Sequence, residues 1–506
     1  MSSIAANSRP AAAPIDLPDP RRWWALAVIA LAQLMIVLDA TIVSIALPSM
    51  QIDLGMSDSN RQWVITAYTL AFGGLLLLGG RFADFLGRKR ALFIGLAGFA
   101  AASALGGAAQ NVPMLLSSRA LQGVFGAILA PSALSLLALT FRNPSERAKA
   151  IGIFGAVSAG GSALGLILGG ALTEYLDWRF TFYVNVPIAI LGILGARAFV
   201  RADMKSSNPV RFDFGGAILG TGGLVSLVYG FTQAEEKGWG ATETLVFLGI
   251  AAVLLVTFVL FERRSDHPLL PMRIVMNRNR AGAYIAVLVQ YMTMFAAFFF
   301  MTYFLQNVLG YSPIKSGLAF LPMPFMVTLN AQIASRLIQR VPTRLMIAPG
   351  MIVGALGMLW LSQLEPDSSY WVHVAPALAL MGIGLGYVIV PSIGTATTGA
   401  QPADAGVASA MVNTSQQIGA SIGTSLLGTI AASASSDYLK SHADAAIGSA
   451  ASIVHGYDVA SAWGAGLLVG GAVLAAILIN VGRPAPAAPA QSTATAPEAE
   501  PAVAHF

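Results

Sequence analysis

The sequence predicts an all-α integral membrane protein with fourteen spans, and three observations predict it. First, 56% of its 506 residues are apolar and 10% are charged, with a mean hydropathy of +0.70. A soluble domain carries roughly 25% charged residues, and a water-facing surface needs about that share to stay in solution. Second, the apolar residues fall into fourteen runs, each long enough to cross about 30 Å of hydrocarbon. Third, Lys and Arg alternate between the connecting loops. Of 29 basic residues, 23 fall on one side of the membrane and five on the other.

The runs lie at 23–48, 61–80, 90–109, 112–140, 149–173, 180–200, 212–232, 243–261, 281–305, 314–335, 345–363, 371–398, 404–432 and 459–482. The first follows Arg21 and Arg22 and has no small-residue cleavage site after it, so it reads as an uncleaved span. Runs two and three are joined by the short basic segment GRFADFLGRKR at 80–90. Run five carries a glycine stripe, and run six follows DWRF. Runs seven and eight enclose the acidic loop AEEKGWG and form an insert over 201–275. That insert separates a first six-helix bundle at 23–200 from a second at 276–482. SRLIQRVPTRL at 335–345 follows the second span of the later half and is a weak copy of 80–90. Internal repeats of this kind mark secondary transporters. Residues 1–22 and 483–506 are Pro/Ala-rich tails that cannot build a core.

The five basic residues of the minority side are Arg61, Arg179, Lys237, Lys315 and Lys440, while Arg119 lies inside the fourth span. The positive-inside rule therefore puts both termini in the cytoplasm. It also assigns the net charge of +5 to cytoplasmic loops rather than to nucleic-acid binding. With no cysteine, disulfides and thiolate metal sites are excluded. The five histidines fall in or near loops and tails, so no metal or other cofactor is expected. Twenty-three Arg against six Lys points to a GC-rich bacterial genome, and hence to a bacterial plasma membrane.

Asp39 in the first run and Arg119 in the fourth are the charged residues that the run boundaries leave inside the membrane. Intramembrane charges are costly and are functional by default. Asp39 lies about 22 Å from the cytoplasmic interface and Arg119 about 10 Å from the outer one, so they share a level. The alternatives are a structural ion pair and a titrating carboxylate poised by an arginine. Burial disfavours the charged acid while the guanidinium favours it, and such a balance suits a proton carrier. In 80–90, Gly80 and Gly87 bracket Asp84, with Arg88 next. A plain positive-inside loop explains the basic residues but not the glycines or the acid. Gly161, Gly165, Gly169 and Gly170 form a small-residue stripe suited to close helix packing. Gln290, Met294, Ala297 and Met301 share one face of the ninth run, beside Tyr291, Phe295 and Phe298. Methionine suits a promiscuous apolar cavity, although lipid-facing or packing roles fit as well.

Together these segments resemble the major facilitator superfamily, and more closely its fourteen-span drug:proton antiporter branch, over about residues 23–482. LDATIVSIALP at 38–48 resembles the branch's first-helix signature, and GRFADFLGRKR the loop after helix two. LSSRALQGVFGAILAPS at 116–132 resembles the helix-four signature, with Arg119, Gln122 and Gly123 in place. GSALGLILGGAL at 161–172 resembles the helix-five signature of exporters, except that Leu166 replaces a proline. DWRFTFYVNVPIAIL at 177–191 and AGVASAMVNTSQQIGASIG at 405–423 resemble two further blocks, with Gln416 where arginine is frequent. In the second loop copy, Gln339 and Pro342 replace the acid and the glycine.

The resemblance implies two bundles rocking about a central cavity, exchanging substrate for protons. It implies Asp39 and Arg119 as the proton-coupling pair. Gly80, Asp84, Gly87 and Arg88, with the Gly161–Gly170 stripe, would gate the conformational change. Gln122, Gln290, Tyr291, Met294 and Phe298 would line the substrate cavity. The expected partners are protons, an amphipathic small molecule and the lipid bilayer, with the chain acting as a monomer. Two alternatives compete with export of drugs, antibiotics or a secondary metabolite. One is transport of a specific metabolite, which needs more buried polar contacts than one acid and one base. The other is a non-transporting membrane receptor or structural protein, which needs no matched buried pair. No nucleophile–base pair or phosphate loop suggests an enzyme.

Overall fold

The computed structural model describes residues 20–141, 143–200, 213–265, 268–338, 340–398, 405–442 and 450–480. Residues 1–19 of the expected tail 1–22, the whole expected tail 483–506, residues 201–212 of the expected insert, His267 and Gln339 lie outside the described residues. Fourteen helical segments are long and apolar enough to cross a membrane, and the described residues contain no strand. The chain is a multi-pass, all-α membrane protein.

The described residues up to 217, with 312–318, form one compact unit. Its helices are α1 (Arg22–Leu54), α2 (Asp58–Leu86), α3 (Arg88–Gly107), α4 (Val112–Thr140), α5 (Pro144–Tyr175), α6 (Phe180–Tyr183) and α7 (Asn185–Phe199). Local chemistry sets their ends. Gly55 takes φ +59° and closes α1 with its N–H on the Gln51 carbonyl. Ser57 and Asn111 cap α2 and α4, accepting from the backbone N–H of Asn60 and Met114. Gly87, at φ +90°, is a one-residue break between α2 and α3. Pro187 has no N–H, and the sixth span is interrupted just before it, between α6 and α7. The core gathers Ile29, Met35, Phe99, Leu129, Leu137 and Phe141 from α1, α3 and α4.

The described residues within 218–311 and from 319 on form the second unit. It holds most of α8 (Phe214–Lys237), then α9 (Thr242–Arg264), α10 (Met272–Val275) and α11 (Arg278–Tyr303). After α12 (Pro313–Ala319), shared between the units, come α13 (Pro322–Leu337), α14 (Arg344–Leu361), α15 (Ala375–Thr397), α16 (Ala405–Ser441) and α17 (Ala450–Leu478). The ninth span finishes in a π-helical turn at Phe304–Val308, and the twelfth opens on another at Tyr370–Val374. Pro322 and Pro324 sit where the tenth span is broken between α12 and α13. Thr429 Oγ1 donates to the Phe231 carbonyl at 3.0 Å and so ties α8 to α16.

Glycines set the closest helix contacts. A Cβ at Gly165 falls 2.0 Å from Thr41 Oγ1 and 3.1 Å from the Leu38 carbonyl oxygen, and one at Gly169 falls 2.8 Å from the Ile42 carbonyl oxygen. In the second unit, a Cβ at Gly419 or Gly423 falls 2.3 Å from the Leu288 or 2.0 Å from the Met292 carbonyl oxygen. Thus α5 packs on α1 and α16 packs on α11 through the same i, i+4 pair of glycines, at backbone distance.

Candidate functional site

Five helices of the first unit meet around one carboxylate. Asp39 on α1 is fully buried, and Arg119 on α4 is 1% exposed. Their side chains form an ion pair, with Arg119 Nη1 donating to Asp39 Oδ2 at 2.7 Å. Arg119 Nε also donates to the Val64 carbonyl of α2 at 2.9 Å, and its guanidinium lies 4.4 Å from the Tyr68 ring centroid. The other oxygen, Asp39 Oδ1, accepts from Gln122 Nε2 at 2.8 Å and from Asn185 Nδ2 at 2.9 Å. Both amides also donate to Ser103 Oγ of α3, at 2.7 Å from Gln122 and 3.3 Å from Asn185. Gln122 Oε1 accepts from Arg119 Nη1 at 2.7 Å. Gln122, Ser103 and Asn185 have no solvent exposure. A buried ion pair must satisfy its remaining hydrogen-bonding positions to survive desolvation, and this network supplies them.

The sequence blocks explain why these side chains converge. Trp178 Nε1 donates to Asp53 Oδ2 at 3.1 Å, and Arg179 Nη2 bridges to the same oxygen at 2.9 Å. The Arg179 guanidinium stacks 4.4 Å from the Trp178 ring, and its Nη2 donates to the Ala109 carbonyl at 3.2 Å. DWRF thus anchors the end of the sixth span to α1, and Asn185, seven residues beyond Trp178, reaches Asp39.

The expected residues divide by location. Asp39 and Arg119 meet directly. Gln122, expected along a cavity, is bonded to both of them instead. Gln290 is fully buried inside the second unit, beside Gly354 of α14, and neither of its amide atoms has a hydrogen-bond partner. Met294 is buried, whereas Tyr291 and Phe298 are half-buried; Tyr291 stacks on Phe295 and Phe298 on Phe320. Asp84 Oδ1 accepts from Arg88 Nη2 at 3.1 Å across the Gly87 break. Gly80 lies within α2, not in a loop, and a Cβ there makes ordinary contact with Pro131 at 3.8 Å. The close approach is at Gly79, where a Cβ falls 2.1 Å from the Ala127 carbonyl oxygen. Gly161 packs on Leu34, and Gly170 on Pro313 and Ile314.

Sequence reasoning missed Ser103, Asn185 and Tyr68, which are uncharged and leave an apolar run apolar. It also set the fourteenth span to begin at 459, whereas α17 begins at Ala450. The helix therefore includes Asp458, whose Oδ1 is buried without a hydrogen-bond partner, and His455, which was expected near a loop. The Glu262 side chain within α9 is also buried, accepting from the Leu270 N–H at 3.0 Å.

Comparison with known proteins agrees with this architecture. The chain is 49% identical over 466 residues to the puromycin resistance protein pur8 of Streptomyces alboniger, covering 92% of each chain. It is 39% identical to the cephamycin export protein CmcT of Amycolatopsis lactamdurans, over 81% of this chain and 85% of that one. Among solved structures, the POT family transporter PepTSo superposes with a TM-score of 0.66 at 15% identity, covering 90% of this chain and 97% of that one. The profile of the Major Facilitator Superfamily matches residues 29–424. The chain belongs to the Major Facilitator Superfamily, a family of transporters and not of enzymes.

Proposed function

We propose that this protein exports an amphipathic antibiotic or secondary metabolite from the bacterial cytoplasm in exchange for protons, as a monomer with both termini cytoplasmic. The observation that carries the reading is the buried Asp39–Arg119 pair, held at 2.7 Å. A charged pair buried inside the spans is costly and functional by default, which makes Asp39 the carboxylate proposed to carry the exchanged proton. The resistance and export names of the similar proteins support the substrate class. Puromycin is accordingly the first compound to test.

In the proposed cycle, cytoplasmic substrate enters while Asp39 is ionised. The bundles rock, protonation from outside neutralises Asp39, and substrate leaves. Asp84 and Arg88 would bias the two-state equilibrium, the glycine stripe would serve as hinge or seal, and Tyr291, Met294 and Phe298 would face substrate.

The test is efflux of puromycin and of a fluorescent dye from efflux-deficient cells, with and without a protonophore, then from vesicles under an imposed pH gradient. We expect protonophore-sensitive efflux that Asp39→Asn abolishes at every external pH. Gradient-driven efflux retained in Asp39→Asn and lost in Asp458→Asn would move the proton site to α17 and overturn the assignment.

A further inference from the structure

We propose that Asn185 is the positioning residue that registers the proton on Asp39, donating to the ionised carboxylate and turning its amide over to accept from the protonated one. The inference rests on the proton-coupling reading of Asp39 above. In the geometry observed, all three donors at Asp39 (Arg119 Nη1, Gln122 Nε2 and Asn185 Nδ2) suit a carboxylate. When a proton binds Oδ1, the new O–H needs an acceptor, and one of the two amides facing it must give way.

Gln122 is locked. Its Nε2 donates to Asp39 and Ser103, and its Oε1 accepts from Arg119 Nη1 at 2.7 Å. Turning it over would press an amide N–H against a guanidinium N–H. Asn185 has no such lock, because its Oδ1 is buried without any hydrogen-bond partner. A half-turn of this amide exchanges Oδ1 with Nδ2, putting an acceptor 2.9 Å from Asp39 Oδ1. Ser103 Oγ, 3.3 Å from the same position, then rotates its hydroxyl from acceptor to donor. Either orientation leaves one amide atom unpartnered, so the amide itself has little preference and the state of Asp39 decides. The step is a simple protonation: an O–H bond forms on Oδ1, the carboxylate charge is cancelled, and no other bond changes.

Few other groups could take this role. Among the described residues, the charged or titratable groups facing Asp39 are Arg119 from α4 and Tyr68 from α2. α3 contributes Ser103, α7 Asn185, and α5 presents Gly165 at this level. Tyr68 Oη is also buried without a partner, so it is the competing acceptor. Asn185 is the first residue of α7, at the interruption of the sixth span.

The experiment is infrared difference spectroscopy of the full-length protein in liposomes, between neutral and acidic buffer. We expect a carboxylic-acid band that Asp39→Asn removes, accompanied by a side-chain amide band that asparagine isotope labelling shifts and Asn185→Leu removes. In Asn185→Leu the Asp39 band persists but moves in frequency, and gradient-driven efflux falls by about tenfold or more, as for loss of a hydrogen bond to a charged group. Asn185→Ser, which can donate and accept, restores part of that loss. An Asp39 band without any asparagine band overturns the inference while leaving the coupling reading intact. So does an asparagine band that Tyr68→Phe abolishes while the Asp39 band is kept. Absence of the Asp39 band in the unsubstituted protein refutes the coupling reading itself.

Discussion

Arg119 illustrates what one residue can reveal. Its depth in the fourth apolar run, set against the depth of Asp39 in the first, puts two charges at one level before any coordinates are known, and they meet at 2.7 Å. The amides around them left no such trace. Gln122, Ser103 and Asn185 cost little in a hydropathy sum, and only packing shows that all three converge on the pair. Removing one member of a buried, hydrogen-bonded pair strands the other, at a cost of about 3–5 kcal/mol. Arg119→Ala should therefore lower the thermal unfolding temperature in detergent and abolish gradient-driven efflux. The double variant Asp39→Asn/Arg119→Ala should unfold at a higher temperature than Arg119→Ala alone. A single variant as stable as the parent would mean that the pair contributes nothing to the fold.

At the scale of the helix, the glycine stripe of α5 was legible in the sequence, but its partner was not. Gly165 and Gly169 lie over the Leu38 and Ile42 carbonyls, while Gly419 and Gly423 lie over Leu288 and Met292. The two pairs define a register between the halves in which Val289 stands where α1 has Asp39. The repeat thus preserves the packing contact and drops the charge. The basic loop behaves similarly. Gly87 turns at φ +90°, which Pro342 at the matching place cannot adopt, and there the helices part over a longer gap, α13 ending at Leu337 and α14 starting at Arg344. The basic residues of the majority side do more than set topology. Lys89 donates to the Val200 carbonyl, Arg278 to Ile477, and Arg280 Nε to Ala396 at 3.1 Å, each at a helix end. The packing register makes a sharp comparison possible. A methyl group at Gly423 must displace backbone, at a cost of about 1–3 kcal/mol, whereas Gly155 has nothing within 4 Å of its added Cβ. Gly423→Ala should lower the unfolding temperature measurably and Gly155→Ala should not. Equal behaviour of the two would show that α16 and α11 do not pack this tightly in the membrane.

Across the whole molecule, the number of spans was readable because each needs about 20 apolar residues, a signal that a few polar substitutions do not erase. The ends of the helices were not readable. α1 runs for 33 residues and α16 for 37, past the apolar runs into polar sequence, because a helix satisfies its own backbone on either side of the interface. Asp458 entered a span for that reason. The interruptions between α6 and α7 and between α12 and α13 were equally hidden, since each lies inside a continuous apolar run. Orientation depends on the charge count. With fourteen spans, 23 basic residues share one side and five share the other; an added or lost span would invert every later loop and mix the two sets. A reporter fused after Arg483 should therefore read cytoplasmic, and one inserted near Glu235, at the end of α8, should read external. The pair of reporters tests parity and direction separately. Two external signals would require an even number of spans between the two reporters, where the fourteen-span arrangement has seven. A cytoplasmic signal near Glu235 with an external one after Arg483 would keep all fourteen spans but reverse the protein in the membrane, so that Asp39 would open first to the wrong compartment for export.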